Sequence, residues 1–442
     1  MMENKTQSKK IKNTYETEAQ KVISIVKRSL LLPNGALGLE RSGSRLRPFN
    51  IFSDLGDFLP FLLYFGEEEF VDKQIGLLKK EMGSKNILAS QFPTLGISGL
   101  AKTYEYTDLL LGLTDYYLFK RDEESKNLLL KTTDKAIEIF NLDSKMSSFY
   151  HIKVSFPLPV LDTRDGTLIE CFLDIAYATK EKKYIDVAEN IYRNLFRSPF
   201  YKKYSLLPTF MTYEWLTPFL RGSKFHMFRE AEICKNSTNT LFALLALYKH
   251  NKEGGVKENI FKMIGGIRTL GNKNGGLYKT YKPNDSRKPI ISLTPSFAML
   301  DFLCDAYKVF GREEDLSFAR EIADYWLKEE GKTGLLPLIS GTKDSFIDSE
   351  TDMSVALTKL YELTGQDKYD SAAERIFDGL VESHGKVDYA LSVNIDTGKL
   401  VSDAQRTKFL TLFLKLLILR EKMSEGERIY KNESLFGILR DR

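Results

Sequence analysis

The stretch FAMLDFLCDAY (297–307) is apolar on nearly every side of a helix, and after a short turn comes EEDLSFAREIADYWLKEE (313–330), charged everywhere but along one stripe. A helix apolar all round must be covered on all sides, whereas one with a single apolar stripe lies at the surface. The pair therefore predicts an inner helix backed by an outer one. The same alternation extends through the chain. Further inner candidates read FLPFLLYF (58–65), LLLGLTDYYLF (109–119), LIECFLDIAYA (168–178), LFALLALY (241–248), VALTKLYEL (355–363) and FLTLFLKLLIL (409–419). Their outer partners read EEEFVDKQIGLLKKEM (67–82), EESKNLLLKTTDKAIEIF (123–140), KKYIDVAENIYRNLF (182–196) and KYDSAAERIFDGLVE (368–382), with a less regular one at 255–270.

Marking each inner helix by a polar residue near its start selects Asp54, Asp108, Asp165, Asn239, Ser296, Asp352 and Arg406, spaced 54, 57, 74, 57, 56 and 54 residues apart. Such near-equal spacing is the signature of a repeat, and it is too long for an open array of ~34-residue tetratricopeptide units. The last inner helix lacks a long outer helix after it, but Thr14 to Leu31 is an unpaired amphipathic helix at the other end. The two ends can complete one hairpin and close a ring. The expectation is an all-α fold: a closed (α/α)6 or (α/α)7 toroid over residues 14–442 as one domain, preceded by a polar, disordered arm at 1–13.

Composition narrows the class. Hydrophobic residues make up 43% and charged residues 28%, a globular balance. A net charge of +4, dispersed along the chain, argues for neither nucleic acid nor a membrane surface. The most apolar run, 409–419, is short of the ~20 residues a span requires and contains Lys415. No apolar signal region follows the N-terminus, which points to a cytoplasmic protein. Cys171, Cys234 and Cys304 lie far apart with no C-x-x-C pair, so neither disulfides nor a metal site is expected.

The connections into the inner helices are long and contain β-like alternation, as at Asn34–Leu39, Asn274–Tyr278, Thr333–Pro337 and Tyr389–Leu400, so short β-hairpins are expected there. All of them must share one rim, where long loops of this kind are usually functional. The longest, 197–235, is rich in aromatics, Trp215 among them, and is expected to wall the mouth. Acids cluster at the same rim: Asp54 and Asp57, Glu105 and Asp108, Asp162 and Asp165, then Asp348, Glu350 and Asp352. Each alone is a good N-cap or first-turn acid. Together they exceed what capping needs, and a carboxylate pair on neighbouring inner helices suits glycoside hydrolysis, by inversion where ~6.5–9.5 Å separates them. The candidate catalytic acids are Asp54, Glu105, Asp165, Glu350 and Asp352. Tyr104, Arg164, Trp215 and Arg406 are the candidate carbohydrate-binding residues, with no cofactor and no metal.

The alternating hairpins, with Leu363-Thr-Gly-Gln-Asp-Lys-Tyr369 between inner and outer helices and the looser Ala178-Thr-Lys-Glu-Lys-Lys-Tyr184, resemble the hairpin-toroid glycosidase superfamily. That superfamily includes unsaturated glucuronyl hydrolases, N-acylglucosamine 2-epimerases and class I α-mannosidases, so the resemblance implies an α/α barrel and a carbohydrate substrate. The segment from Asp403 through Lys415 is similar to the last inner helix of the mannosidases. However, no Arg-Pro-Glu precedes the sixth inner helix, and Lys431–Leu435 has no counterpart of the calcium-binding Thr-Glu-Ala-His, so neither calcium nor mannosidase specificity is carried over.

The epimerases of this superfamily use barrel histidines for proton transfer. Of the four here, His151 and His226 fall in rim loops, while His250 and His384 follow helices, which places epimerase or polysaccharide lyase behind hydrolase. No P-loop, dinucleotide fingerprint, nucleophile elbow or H-E-x-x-H is present. A toroid that only binds a carbohydrate, lipid or peptide is the reading of another class; it would leave the inner helix starts apolar, whereas Arg45, Arg47, Arg164 and Arg406 stand near them.

Overall fold

A computed structural model of the chain describes residues 2–38, 40–47, 51–83, 87–88, 99–212, 229–285 and 287–428. The helices are α1 Met2–Ser29, α2 Ile51–Tyr64, α3 Glu68–Met82, α4 Thr103–Lys120, α5 Glu123–Phe140, α6 Thr167–Thr179, α7 Lys183–Phe196, α8 Pro199–Tyr204, α9 Asn239–Asn251, α10 Gly254–Leu270, α11 Leu293–Phe310, α12 Glu313–Trp326, α13 Ile347–Thr364, α14 Asp367–Gly379 and α15 Thr407–Ser424.

Among the described residues seven inner helices, α2, α4, α6, α9, α11, α13 and α15, pack each against the next, and α15 returns to α2. Each also packs on its own outer helix: α3, α5, α7, α10, α12 and α14 for the first six, and α1 for α15. The fold is a closed α/α toroid, as the spacing predicts, and α1 begins at Met2, ahead of the amphipathic stretch that starts at Thr14. Side chains also join the two ends. Thr407 Oγ1 donates to the Gly38 carbonyl (2.6 Å), Lys21 Nζ to the Gly385 carbonyl (2.9 Å), and the strand Glu40–Ser42 pairs antiparallel with Gln405–Arg406.

Outer helices bury one stripe; in α14 it is Tyr369, Ala372, Ala373, Ile376 and Phe377. At the short-turn end α4, α6, α9, α11 and α13 stop alike. A left-handed residue (Arg121, Lys180, Lys252, Gly311, Gly365) follows each and donates its N–H to the carbonyl four residues back. The opposite rim carries small antiparallel strand pairs, including Leu100–Lys102 with Phe149–His151, Val160–Asp162 with Phe210–Thr212, and Asp344–Phe346 with Ser392–Asn394. These pairs join one connection to the next, and the β-hairpins expected within the connections are Glu40–Ser42 with Arg45–Arg47, Asn272–Lys273 with Gly276–Leu277 and Ser392–Asn394 with Leu400–Ser402. They brace the mouth, while one continuous apolar cluster fills the space between the inner and outer rings. No helix among the described residues is long and apolar enough to cross a membrane.

Candidate active site

The inner helices are less uniform than their composition suggests. In α11 every residue from Leu293 to Ala306 is buried except Thr294, Phe297, Asp301 and Asp305, which recur every three or four positions and touch solvent. That spacing is one helix face. The equivalent faces are Tyr104, Asp108 and Leu111 in α4; Thr167, Glu170 and Asp174 in α6; Asp348, Asp352 and Lys359 in α13; and Lys408, Leu412 and Lys415 in α15. Since the other faces are packed on neighbours, these stripes line the barrel axis and make a narrow polar lumen.

Salt bridges run between the stripes. Lys415 reaches Asp352 (3.8 Å), and Lys359 bridges Asp301 (2.5 Å) and Asp305 (3.0 Å). Nearest the mouth, the Lys408 ammonium lies 2.8 Å from Asp57 Oδ2 and 3.2 Å from Asp108 Oδ2, joining α15 to α2 and to α4 beyond it. Two oxygens sharing one nitrogen at those distances are at most 6.0 Å apart. Burial first, then the neighbouring Asp108 charge, pushes the Asp57 carboxyl upward from its ordinary range, and Lys408 works against both. Asp57 is nonetheless 17% and Asp108 27% exposed, so solvent meets the pair.

Two glycines create this closeness. A Cβ on Gly56 would stand 2.1 Å from the Asp108 carbonyl oxygen, and one on Gly112 would stand 2.3 Å from the Gly56 carbonyl oxygen. A mid-helix glycine costs roughly 0.5–1 kcal/mol relative to alanine. Here its benefit is a backbone contact between α2 and α4 that sets Asp57 beside Asp108. The run Leu55-Gly56-Asp57 with Gly112 was the signal available in the sequence.

Most acids singled out from the sequence lie behind the lumen. Glu350, fully buried, accepts from the Leu336 N–H (2.6 Å) and the Ser345 hydroxyl (2.9 Å), and burial pushes its pKa to about 8. Asp165, also fully buried, accepts from the hydroxyls of Thr103 (2.5 Å) and Ser148; burial and then Asp162 raise its pKa. Glu105 sits 3.6 Å from Lys102, both nearly inaccessible. Asp54 is 3% exposed, its pKa pushed to about 8 chiefly by burial.

Asp54 and Glu350 share a position. Each is the fourth residue of its inner helix, as are Tyr106 in α4 and Ser296 in α11. At three of the four a leucine amide of the rim loop donates to the side chain: Leu88 to Tyr106 (2.8 Å), Leu277 to Ser296 (3.3 Å), Leu336 to Glu350. Ser237, just before α9, receives Leu207 in the same way (3.3 Å). This site pins a loop to its helix, and it accepts hydroxyl or carboxyl alike.

Asp352 belongs to the lumen stripe, with a pKa raised to about 6 mainly by burial. Tyr104 stands one turn above Asp108 on the same face, and the Arg164 guanidinium lies 4.3 Å from its ring centroid. Arg164 is held there by Asp162, which accepts from Nε (2.8 Å) and Nη2 (2.5 Å). Arg406 pairs with Glu40 (3.5 Å) and lies over the Phe409 ring. Trp215 and His226 lie outside the described residues. His151 is in a rim strand and His250 ends α9 at the far side, while His384 is buried with Nδ1 2.8 Å from the Ala390 carbonyl. Among the described residues no group of three His, Cys, Asp or Glu side chains is arranged to hold a metal ion.

Solved structures share this architecture. A D-mannose isomerase superposes with a TM-score of 0.57 at 13% identity, covering 92% of this chain and 97% of that one. The chain has the α/α-toroid fold. An unsaturated glucuronyl hydrolase specific for heparin gives 0.53 at 14% identity (95% and 98% covered), and the cellobiose 2-epimerase of Spirochaeta thermophila gives 0.55 at 13% (74% and 87%). No family model and no curated protein matches the sequence.

Proposed function

We propose that this protein is a carbohydrate-active enzyme that cleaves a glycosidic bond at the mouth of its lumen, with Asp57 and Asp108 as the working carboxylates. The observation that carries the reading is the pair itself: two acids from two inner helices, in contact with solvent, held within 6.0 Å by one lysine. The solved structures of this fold named above bear the names of sugar isomerases, epimerases and glycoside-cleaving enzymes, which favours a sugar as the ligand.

Two carboxyls in one site divide the labour when their surroundings separate their pKa values. Asp57, the one shifted upward, keeps a proton and acts as general acid toward the glycosidic oxygen. Asp108, on the facing helix, is the nucleophile. A separation of ~5–5.5 Å is that of retaining glycosidases, against ~6.5–9.5 Å for inverting ones, so this pair supports double displacement in place of the inversion expected from the sequence. Asp108 attacks the anomeric carbon as Asp57 protonates the leaving oxygen; Asp57 then takes a proton from the water that releases the sugar. Arg164 and Tyr104, one turn closer to the mouth, offer a charged, planar surface for the sugar, and Asp352 lies deeper on the same axis.

Hydrolysis is favoured over epimerisation because none of the described histidines stands on a lumen stripe. The test is a panel of aryl glycosides and oligosaccharides with the first-formed anomer followed by NMR. The expected result is turnover with retention, reduced by a factor on the order of 10²–10⁴ in Asp108→Asn. Unchanged turnover in that variant would remove the assignment.

A further inference from the structure

A cleft of about 490 Å³ lies on the same rim, between α10 and α11. Leu270, Tyr278, Tyr281, Pro289 and Ile290 supply its apolar and aromatic lining. The site is preformed. Strand Thr280–Tyr281 pairs with Ala231–Glu232, Tyr278 bridges Ile291, and the Tyr281 ring packs edge-on against Tyr204 at 5.7 Å. Asp285 fixes the return of the loop by accepting from the Arg287 amide (3.0 Å), Nε (3.0 Å) and Nη2 (2.6 Å).

The charges do not cancel. Asp285 neutralises Arg287 and Glu230 neutralises Lys282 (3.1 Å), while Lys279 and Lys288, both exposed and lining the cleft, have no ion-pair partner among the described residues. A cleft of this volume, lined by two tyrosines and two ammonium groups without an ion-pair partner among the described residues, suits a sugar ring bearing an anion: the ring stacks on tyrosine and the anion meets the lysines. We propose that this cleft is a second saccharide site, distinct from the lumen, that takes an anionic sugar residue, carboxylated or sulfated, of a substrate chain reaching across the rim. The inference rests on the carbohydrate reading above and adds to it a class of substrate.

Calorimetric titration of the full chain at low and moderate salt tests it with four probes: a hyaluronan tetrasaccharide carrying carboxylates only, sulfated chitobiose, unmodified chitobiose and inorganic sulfate. The expected result is salt-sensitive binding of at least one anionic saccharide. Whichever binds names the anion. Binding should weaken roughly tenfold in Lys279→Ala/Lys288→Ala, with the melting temperature and the turnover of neutral aryl glycosides unchanged. Equal binding of unmodified chitobiose, equal binding of inorganic sulfate alone, or an unaffected double variant would overturn it. The two readings fail separately: anionic binding by a wild-type protein that turns over no glycoside, or whose turnover is unchanged in Asp108→Asn, leaves the rim site and removes the lumen chemistry, and turnover without anionic binding does the reverse.

Discussion

Asp348, Glu350 and Asp352 occupy alternate positions of one helix start, yet they serve two regions. Asp348 and Asp352 face the axis, where solvent reaches them and Asp352 approaches the lysine of another helix; Glu350 points away, fully buried, and closes hydrogen bonds to its own rim loop. On α2, Asp54 is buried while Asp57, three positions on, touches solvent and meets Lys408. Two steps along a helix turn the side chain through about 200°, which carries Glu350 to the side opposite Asp348 and Asp352, whereas Asp54 and Asp57, three steps apart, stay within about 60° of one another and differ in depth. Identical chemistry therefore becomes a loop anchor on one side and a lumen group on the other, and upward-shifted pKa values occur on both sides because burial produces them in either setting. A shifted carboxyl alone does not mark the active site.

The contrast can be broken most forcefully at the glycines. We predict that Gly112→Ala, whose methyl would meet the Gly56 carbonyl, destabilises the fold by about 1–3 kcal/mol or more and abolishes turnover, because α2 and α4 must separate and the Asp57–Asp108 pair with them. Chemical denaturation with a parallel glycoside assay measures both. Wild-type values in both would show that the close approach does not hold the pair.

Next comes the anchor. Glu350→Ala leaves the buried Leu336 N–H and Ser345 hydroxyl without their acceptor, a loss of about 1–3 kcal/mol for the stranded donor before any cavity cost. The expected reading is a lower denaturation midpoint with residual turnover per folded molecule close to wild type. A collapse of turnover at full stability would instead make Glu350 a reacting group.

A smaller, pH-resolved effect sharpens the same point. The unfolded chain releases the Glu350 proton near its ordinary value of 4.5, whereas the folded protein holds it to about 8. Between those values the folded state binds more protons, so this group's contribution to stability is full below 4.5 and falls as pH rises toward 8, with a limiting slope of about 1.4 kcal/mol per unit. Glu350→Gln cannot ionise, and its stability relative to wild type should rise across that window. Parallel stability curves for the two proteins from pH 5 to 8 would contradict the assignment.

The ring was legible because its signal is redundant. The spacing of 54–57 residues repeats, and each outer helix declares its single apolar stripe, as Tyr369 to Phe377 does. The choice among the acids was not. Residues such as Asp301 and Asp305 in FAMLDFLCDAY, or Lys415 in FLTLFLKLLIL, look like isolated exceptions in an apolar run until the axis gives their three-and-four spacing a direction. Glu350 also carries no mark in the sequence that separates an anchor from a lumen acid. Only the equivalence with Tyr106 and Ser296, which receive the same kind of leucine amide, reveals the anchoring position, and that bond joins residues 14–19 apart. The Gly56–Gly112 contact was the cue that could have selected Asp57, since a glycine inside a helix needs a reason and this one lies next to an acid.

The most direct measurement compares two neighbours on α2. Asp54→Asn and Asp57→Asn are made separately, and the turnover of a responsive glycoside is measured with the melting temperature of each. The account predicts that Asp57→Asn loses on the order of 10²–10⁴ in turnover while melting near wild type, and that Asp54→Asn keeps turnover within a few-fold and shows its effect in stability. Loss of turnover in Asp54→Asn with activity preserved in Asp57→Asn would contradict it, and would return the chemistry to the buried acid.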